Sequence, residues 1–374
     1  LYFAILRPFM STHQAMIFVS MLSIFLTSLG MYILLRLLKI QSSLALIIGL
    51  AFAYTTFLLP RAGHLTYFSI YVFPWFFVCG YQLLQAKKLI VRLVGAVGAG
   101  FFLVMALYHN SYYFVTLALS LAYLLVYYLI YRIGDLWHYL CNRVKEIVVF
   151  LFTTVLSLWP WIYQVRQDKF FDGLPTTKGW GGAIEYSSDL FGYFIPSPYS
   201  RFLGFVATWA DAHLIFAQGI FESYSYPGIF LLMTFMVLGY LAWKNIIPNQ
   251  LRYKLAPLMF TTFWIWILTL GPFLHVAGKW TLGLQEEIKL VIPLPFALFH
   301  YLPFMENIRS PARLSIGYIF VGYIATAYLW QWAWQRMGNH KQKIFLIALT
   351  AVIIIDHTLV YTPAKPRVLP ISYY

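Results

Sequence analysis

The sequence predicts an all-α, polytopic membrane protein: a bundle of about ten transmembrane helices with two long extracytoplasmic loops. Three observations predict this fold class. Of the residues, 61% are hydrophobic and only 10% are charged, the mean hydropathy is +0.73, and the apolar residues form long runs. A soluble chain of 374 residues could not cover its surface with so few charges. A membrane β-barrel would show short alternating segments instead.

Apolar runs of roughly 20 residues are long enough to cross a bilayer as helices. The second run is short and stops at Pro60 and Arg61. The fourth and fifth are separated only by His109 and Asn110, which predicts a helical hairpin. The predicted spans cover about 16–38, 42–59, 65–85, 89–108, 112–131, 146–165, 226–243, 256–274, 314–335 and 342–361.

Basic residues collect in every second connector between these spans. Those connectors hold more than half of the 26 Lys and Arg residues and, of the acids, only Asp135 and Glu146. Short basic loops stay in the cytoplasm, so these connectors are predicted to lie inside and both ends of the chain outside. The net charge of +14 therefore reflects membrane orientation, and we expect no nucleic-acid partner. The basic residues are Arg36, Lys39, Lys87, Lys88, Arg92, Arg132, Arg143, Lys145, Lys244, Arg252, Lys254, Arg336, Lys341 and Lys343.

We interpret residues 1–374 as one transmembrane domain, with the long loops 166–226 and 275–313 on the extracytoplasmic side. Prolines at 293, 295 and 303 interrupt the second loop, which favours an interfacial or re-entrant segment. The chain opens with Leu1 and ends at Tyr374 without an obvious stop. We therefore interpret it as an internal fragment.

Arg309 and Arg313 form the most informative polar pair. Ser310 is a good N-cap and Pro311 suits a first helical position, so a helix is expected to begin there. Arginines at a helix N-terminus face the positive end of the dipole, an arrangement that an anion would relieve. Arginine binds phosphate oxygens in a bidentate manner, so a lipid phosphate is the expected ligand. The alternative is two arginines that anchor a helix end at the interface.

Carboxylates of the first long loop are candidates for catalysis. Glu222 and Asp189 are predicted as catalytic acids, and Glu185 as a substrate-binding residue. Such groups can deprotonate a hydroxyl, hold a divalent cation or bind sugar hydroxyls. Glu222 ranks first because it lies closest to a span. The alternative for each is a solvated loop acid or a helix cap. Cysteine spacing indicates no metal site, and a divalent cation is the one cofactor left open.

His64, His275 and Trp180 complete the predicted substrate-binding set. Both histidines lie at outer span ends, where an interfacial hydrogen-bonding role is the alternative to substrate binding. Trp180 suits stacking against a sugar, and equally an aromatic belt at the membrane surface. Asp356 and His357 lie near the outer end of the last span, and an acid there indicates function unless it reaches the interface.

Several segments follow one another in a recognisable order: LTSLGMYILLRLL with AFAYTTFLL, GHLTYFSIYVFPW, SSDLFGYFIPSPYSRFLG, a glutamate before YPG, LGPFLHVAGKW and IPLPFALFHYLPFMENIRSPARLSIGY. Taken in order, these segments resemble polytopic glycosyltransferase-C-like membrane proteins related to the YfhO family. They span nearly the whole chain.

The resemblance implies an enzyme of a bacterial or archaeal cell membrane. Such enzymes move a sugar from a polyprenyl-phosphate donor to a lipid, protein or cell-wall glycan on the outer side. The class places its catalytic aspartate in the first outer loop, between the first two helices, which here would lie upstream of Leu1. The resemblance therefore implies that this fragment lacks an N-terminal span, the first outer loop and a C-terminal region. Two alternatives remain open: a transporter or flippase for lipid-linked sugars, and a non-catalytic protein of envelope assembly. Transport favours charged or broken helices near the bilayer midplane.

Overall fold

The computed structural model is helical and describes residues 8–58, 61, 65–167, 180–213, 223–283, 289–299, 301–302 and 308–358. Within these residues the exception is a two-residue antiparallel pair, β1 (Leu282–Gly283) with β2 (Lys289–Leu290). The N-terminal helices are α1 (Thr12–Leu37), α2 (Ser42–Ala53), α3 (Val72–Gln85), α4 (Leu89–His109), α5 (Ser111–Tyr131), α6 (Ile133–Asn142) and α7 (Val144–Gln167). The others are α8 (Gly181–Glu185), α9 (Gly204–His213), α10 (Ile229–Trp243), α11 (Asn249–Thr269), α12 (Phe296–Phe299), α13 (Ser315–Trp334) and α14 (Asn339–His357).

Six helical stretches among the described residues are long and apolar enough to cross a membrane. They are Thr12–Leu37, Thr66–Gln85, Leu89–His109, Ser111–Tyr131, Val144–Gln164 and Pro311–Trp334. Helices α2 and α10 are apolar but shorter. The second predicted span was too long, because α2 ends at Ala53 and the chain then turns. The chain is thus a helical protein with several helices of membrane-spanning length.

The predicted hairpin between α4 and α5 is confirmed. Asn110 separates the two helices, and its side-chain oxygen accepts a hydrogen bond from the N–H of Tyr112 (3.1 Å) at the start of α5. Helix α4 also packs closely on α3: a Cβ at Gly95 would lie 2.7 Å from the carbonyl oxygen of Cys79. The glycine is needed here because it lets the two backbones approach.

Helix α13 lies at the centre of the bundle. In its most apolar stretch 89% of the residues are buried, against 6% in α7. Phe320 of α13 lies 5.3 Å from the ring of Phe52 and 5.1 Å from that of Phe77, measured between ring centroids. Helix α7, by contrast, presents most of its apolar side chains outward, as a helix in contact with lipid does.

The basic connectors meet at one end of the bundle, which we call the basic end (residues 38–41, 86–88, 132–143, 244–248 and 335–338). Arg92 at the start of α4 contacts Glu146 at the start of α7, with 2.5 Å between Nε and Oε1. Arg132 donates to the carbonyl oxygen of Tyr253 in α11 (2.7 Å). We call the opposite end, where the longer connectors lie, the loop end.

The predicted helix start near Pro311 is present in a modified form. Residues Pro311–Leu314 form a 3₁₀ turn that leads into α13. Ser310 occupies the N-cap position with Pro311 after it, as predicted, but the Ser310 side chain makes no capping hydrogen bond. The backbone N–H of Ser310 donates a hydrogen bond to the hydroxyl of Tyr112 in α5 (3.0 Å).

Candidate functional site

Tyr112, in the first turn of α5, supports both predicted arginines at the loop end. Its hydroxyl accepts hydrogen bonds from the backbone N–H groups of Arg309 (3.1 Å) and Ser310 (3.0 Å). The guanidinium of Arg313 lies over the Tyr112 ring, 5.0 Å from its centroid, within the range of a cation–π contact. The structure therefore brings the two arginines to one aromatic side chain, with Arg309 exposed and Arg313 half-buried.

A third arginine, Arg61, belongs to the same region and was not assigned from the sequence. It is only 2% exposed and donates hydrogen bonds to the carbonyl oxygens of Phe57 and Tyr224, both at 3.0 Å. The ring centroid of Tyr67 lies 5.9 Å from the Arg61 guanidinium and 5.5 Å from that of Arg313. Two guanidinium groups thus face one tyrosine at the loop end, and this concentrates positive charge there.

Asp189 joins two segments of the loop end. Its Oδ1 accepts hydrogen bonds from the N–H groups of Phe191 (2.8 Å) and Ala277 (3.2 Å), and its Oδ2 from that of Gly278 (2.7 Å). The side chain is 5% exposed. Both oxygens of this carboxylate accept hydrogen bonds from backbone N–H groups. Asp189 therefore connects the segment before the 3₁₀ turn Gly192–Phe194 to the loop after α11.

His275 lies beside Asp189 in that loop. The backbones of the two residues form an isolated parallel bridge, and the carbonyl oxygen of His275 accepts from the N–H of Leu190 (2.9 Å). The imidazole is 2% exposed, and its Nε2 has no hydrogen-bond partner within the described part of the chain. Burial lowers the pKa of His275, and the nearby Asp189 carboxylate opposes that shift in part. The ring is therefore expected to be neutral at pH 7.

Trp180 lies in a row of aromatic rings at the loop end. Its ring centroid is 6.0 Å from that of Phe273 and 5.8 Å from that of Tyr301, and Phe273 stacks on Trp280 at 5.9 Å. Tyr301 is 75% exposed, so one end of the row is open. The row comes close to Arg309, because a Cβ at Gly182 would lie 3.2 Å from the Cβ of that arginine. Glu185, at the end of α8, is half-buried.

Two predicted residues, Glu222 and His64, lie outside the described residues. The described chain resumes at Ser223, and residues 223–228, which we call the strap, lead to the start of α10 and are buried from Tyr224 to Gly228. The strap is held by Thr56, whose hydroxyl donates to the carbonyl oxygen of Tyr226 (2.7 Å), and by Tyr318, which donates to that of Ser225.

The strap also contacts Asp356 near the end of α14. The Tyr226 hydroxyl donates to Asp356 Oδ1 (2.9 Å), and that carboxylate is 1% exposed. A Cβ at Gly228 would lie 2.5 Å from Asp356 Oδ2, so the carboxylate sits against the N-terminus of α10. A carboxylate there is favoured by the helix dipole.

No described group of three or more His, Cys, Asp and Glu side chains is placed to hold a metal ion. A groove of about 790 Å³ lies between α1 and α2 and is lined mainly by apolar side chains such as Phe25, Leu46 and Tyr54. None of the candidate arginines or carboxylates lines it, so we place the polar chemistry at the loop end and not in this groove.

No protein-family model matches the chain, and no curated protein or solved structure matches it either. The geometry of the loop end is therefore the basis for a functional proposal.

Proposed function

We propose that this protein is an integral-membrane glycosyltransferase that takes a sugar from a polyprenyl-phosphate donor. The observation that carries the proposal is the pair Arg309 and Arg313 on Tyr112, at the loop end of a bundle of apolar helices. A guanidinium at the end of a membrane-length helix is at the depth of a lipid phosphate, and its geometry suits phosphate oxygens. The donor phosphate would bind between these two side chains.

The proposed topology has ten spans, with the loop end extracytoplasmic. It rests on the basic residues of the opposite end, since short basic loops stay in the cytoplasm. Loops 166–226 and 275–313 then face the compartment in which cell-wall, lipid or protein acceptors are found. Both ends of the chain would face that compartment as well.

In the proposed reaction an acceptor hydroxyl attacks the anomeric carbon of the donor sugar. The bond between that carbon and the phosphate oxygen breaks, the acceptor proton passes to a carboxylate, and polyprenyl phosphate leaves. Arg309 and Arg313 would stabilise the charge that develops on the leaving phosphate. Glu222 is the candidate base within this chain. Asp189 is a weaker candidate, because its oxygens already accept three backbone hydrogen bonds.

The aromatic row from Tyr301 through Trp180 to Phe273 and Trp280 would carry the sugar or the acceptor glycan. Flat aromatic rings bury the apolar face of a sugar, and the row lies next to Arg309. Glu185 and His275 are the remaining proposed substrate contacts on this side. His275 would need to expose its ring, which is buried among loop-end residues.

One observation favours a second function, transport of a lipid-linked sugar. Asp356 is a buried acid within a predicted span, and intramembrane acids commonly mark transport pathways. Asp356 also has a structural role, because it accepts a hydrogen bond from Tyr226 and contacts the start of α10.

A transfer assay separates these functions. Full-length protein in proteoliposomes is given radiolabelled polyprenyl-phosphate sugar and an extract of acceptor glycans and lipids. We expect label to appear in the acceptor, and the double replacement Arg309→Ala and Arg313→Ala to abolish transfer while leaving the yield of folded protein unchanged. Arg252→Ala, at the basic end, is the matched control. Undiminished turnover in the double variant would rule out the arginine assignment. Movement of donor across the bilayer without transfer would support transport instead.

A further inference from the structure

Helix α6 (Ile133–Asn142) is unlike the other helices at the ends of the bundle. The structure describes all ten of its residues, and none is buried. It connects α5 to α7, both of which are long enough to cross a membrane, so it lies at a membrane surface. An exposed helix in that position needs a partner for any apolar face it carries.

The apolar residues of α6 fall on one face. Ile133, Trp137 and Leu140 follow the spacing of a single helix face and are 62%, 68% and 39% exposed. Val144, the first residue of α7, is 55% exposed. Asp135, His138 and Asn142 fall on the opposite face. Such segregation of side chains is typical of a helix that lies flat in the interface.

Contacts at the basic end hold α6 along the ends of its neighbours. The Tyr139 hydroxyl accepts from Gln85 Nε2 (2.9 Å) at the end of α3, and Asp135 Oδ2 accepts from the Tyr253 hydroxyl (2.8 Å) of α11. Arg143, just after α6, donates to the carbonyl oxygen of Leu84 (3.3 Å). The helix therefore runs across the basic end and does not project away from it.

Positive charge surrounds this helix. Lys87, Lys88 and Lys145 are exposed, and Arg132 and Arg143 lie at its two ends. The acid Glu146 is paired with Arg92, so it does not offset these charges. An apolar helix face bordered by cations matches a bilayer whose headgroups are anionic.

We propose that α6 is an interfacial anchor whose occupant is an anionic phospholipid surface. Ile133, Trp137 and Leu140 enter the boundary between headgroups and acyl chains, and the lysines around them contact lipid phosphates. This surface is distinct from the loop-end site and does not depend on the proposed transfer reaction.

Nitroxide labels on the two faces of α6 test the position of the helix. The exposed Cys141 is replaced by Ser, and the matched variants Leu140→Cys and Asn142→Cys are labelled in that background, since Cys79 is buried. The protein is placed in nanodiscs of phosphatidylcholine and phosphatidylglycerol. The label at 140 should collide readily with oxygen and poorly with a water-soluble nickel chelate, and the label at 142 should do the reverse. Equal access of the chelate to both labels would overturn the proposal. Shielding of label 140 from both reagents would also do so, because it indicates a protein partner or a second copy.

A second measurement tests the choice of an anionic lipid. A fluorophore at Asn142→Cys is quenched by lipids that carry a nitroxide on the headgroup, either phosphatidylglycerol or phosphatidylcholine. We expect stronger quenching by phosphatidylglycerol, and a reduction of that preference by about fivefold or more in the variant Lys87→Gln, Lys88→Gln, Lys145→Gln, since one lysine near an anionic surface accounts for roughly a fivefold preference. Equal quenching by both lipids in the wild-type protein would remove the anionic part of the proposal.

Discussion

The hydroxyl of Tyr112 accepts a hydrogen bond from the backbone N–H of Arg309, 3.1 Å away, across 197 residues of sequence. The same oxygen accepts a hydrogen bond from the backbone N–H of Ser310, and the guanidinium of Arg313 lies over the Tyr112 ring. One tyrosine of α5 therefore sets the position of the segment that holds both candidate phosphate ligands. The hairpin of α4 and α5 is the element that brings it there.

Replacement of Tyr112 by Phe should loosen that segment. The ring remains, but the backbone N–H groups of Arg309 and Ser310 lose their acceptor, and for the buried Ser310 this costs about 1–3 kcal/mol. We expect a lower melting temperature and weaker binding of polyprenyl phosphate. The control is Tyr108→Phe in α4, which removes a single hydroxyl contact to the Ser157 carbonyl on an exposed face (3.2 Å). If the Tyr112 variant binds the lipid as tightly as the control does, Tyr112 does not position the arginines.

Replacement of Asp189 by Asn should destabilise the loop end. An amide supplies one acceptor oxygen in place of two, and its NH₂ group would face a backbone N–H donor. Because the side chain is buried, we expect a loss of about 1–3 kcal/mol in the free energy of unfolding, measured by thermal denaturation in detergent. Asp211→Asn, an exposed acid of α9, should change little. A catalytic Asp189 would instead show normal stability with lost turnover.

Gly228 should not tolerate a side chain. Its φ is +97°, a conformation that costs other residues about 1–3 kcal/mol, and a Cβ would lie 2.5 Å from Asp356 Oδ2. We expect Gly228→Ala to lower the melting temperature and the yield of folded protein. Gly239→Ala, within α10, is the matched control, since its Cβ meets nothing within 4 Å, and it should leave stability unchanged or raise it by about 0.5–1 kcal/mol. Equal behaviour of the two variants would contradict the tight contact between the strap and Asp356.

The free energy of unfolding should fall as the pH falls below 6.5, the ordinary pKa of histidine. The reason is that burial lowers the pKa of His275 in the folded protein below that value. The unfolded chain then binds a proton that the folded chain does not, and the loss ends once the pH reaches the folded pKa. We expect the melting temperature of His275→Gln to depend less on pH between 8 and 5 than that of the wild type. His213→Gln, at an exposed position, should keep the wild-type dependence. An unchanged dependence in His275→Gln would show that other groups set it.

The sequence was sufficient for the features that depend on local composition. Long apolar runs predicted helices of membrane-spanning length, and the short break at Asn110 predicted the hairpin of α4 and α5. Alternation of basic connectors predicted that Arg92, Arg132 and Arg143 lie at the same end, and contacts across that end place them together. Each of these patterns needs only neighbouring residues to be interpreted.

Features that depend on distant partners were missed. The donors to Asp189 come from residues 277 and 278, so no local pattern distinguished this acid from a solvated one. The sequence places Arg61 at a span end and says nothing of its burial, which depends on the strap, since the strap supplies the Tyr224 carbonyl. Ser310 lies at an N-cap position as predicted, but the turn is 3₁₀ and lacks a side-chain cap, and the Ser310 N–H donates to the distant Tyr112 hydroxyl.

The most direct test of the loop-end site is the affinity of the purified protein for polyprenyl phosphate. We expect Arg309→Gln and Arg313→Gln to weaken binding by about tenfold each, since a hydrogen bond to a charged group contributes about 1.5–3 kcal/mol. Arg252→Gln should bind as the wild type does, and polyprenol without the phosphate should bind weakly to all of them. Wild-type affinity in the double variant Arg309→Gln, Arg313→Gln, or equal binding of polyprenol and polyprenyl phosphate, would contradict a phosphate site at these arginines.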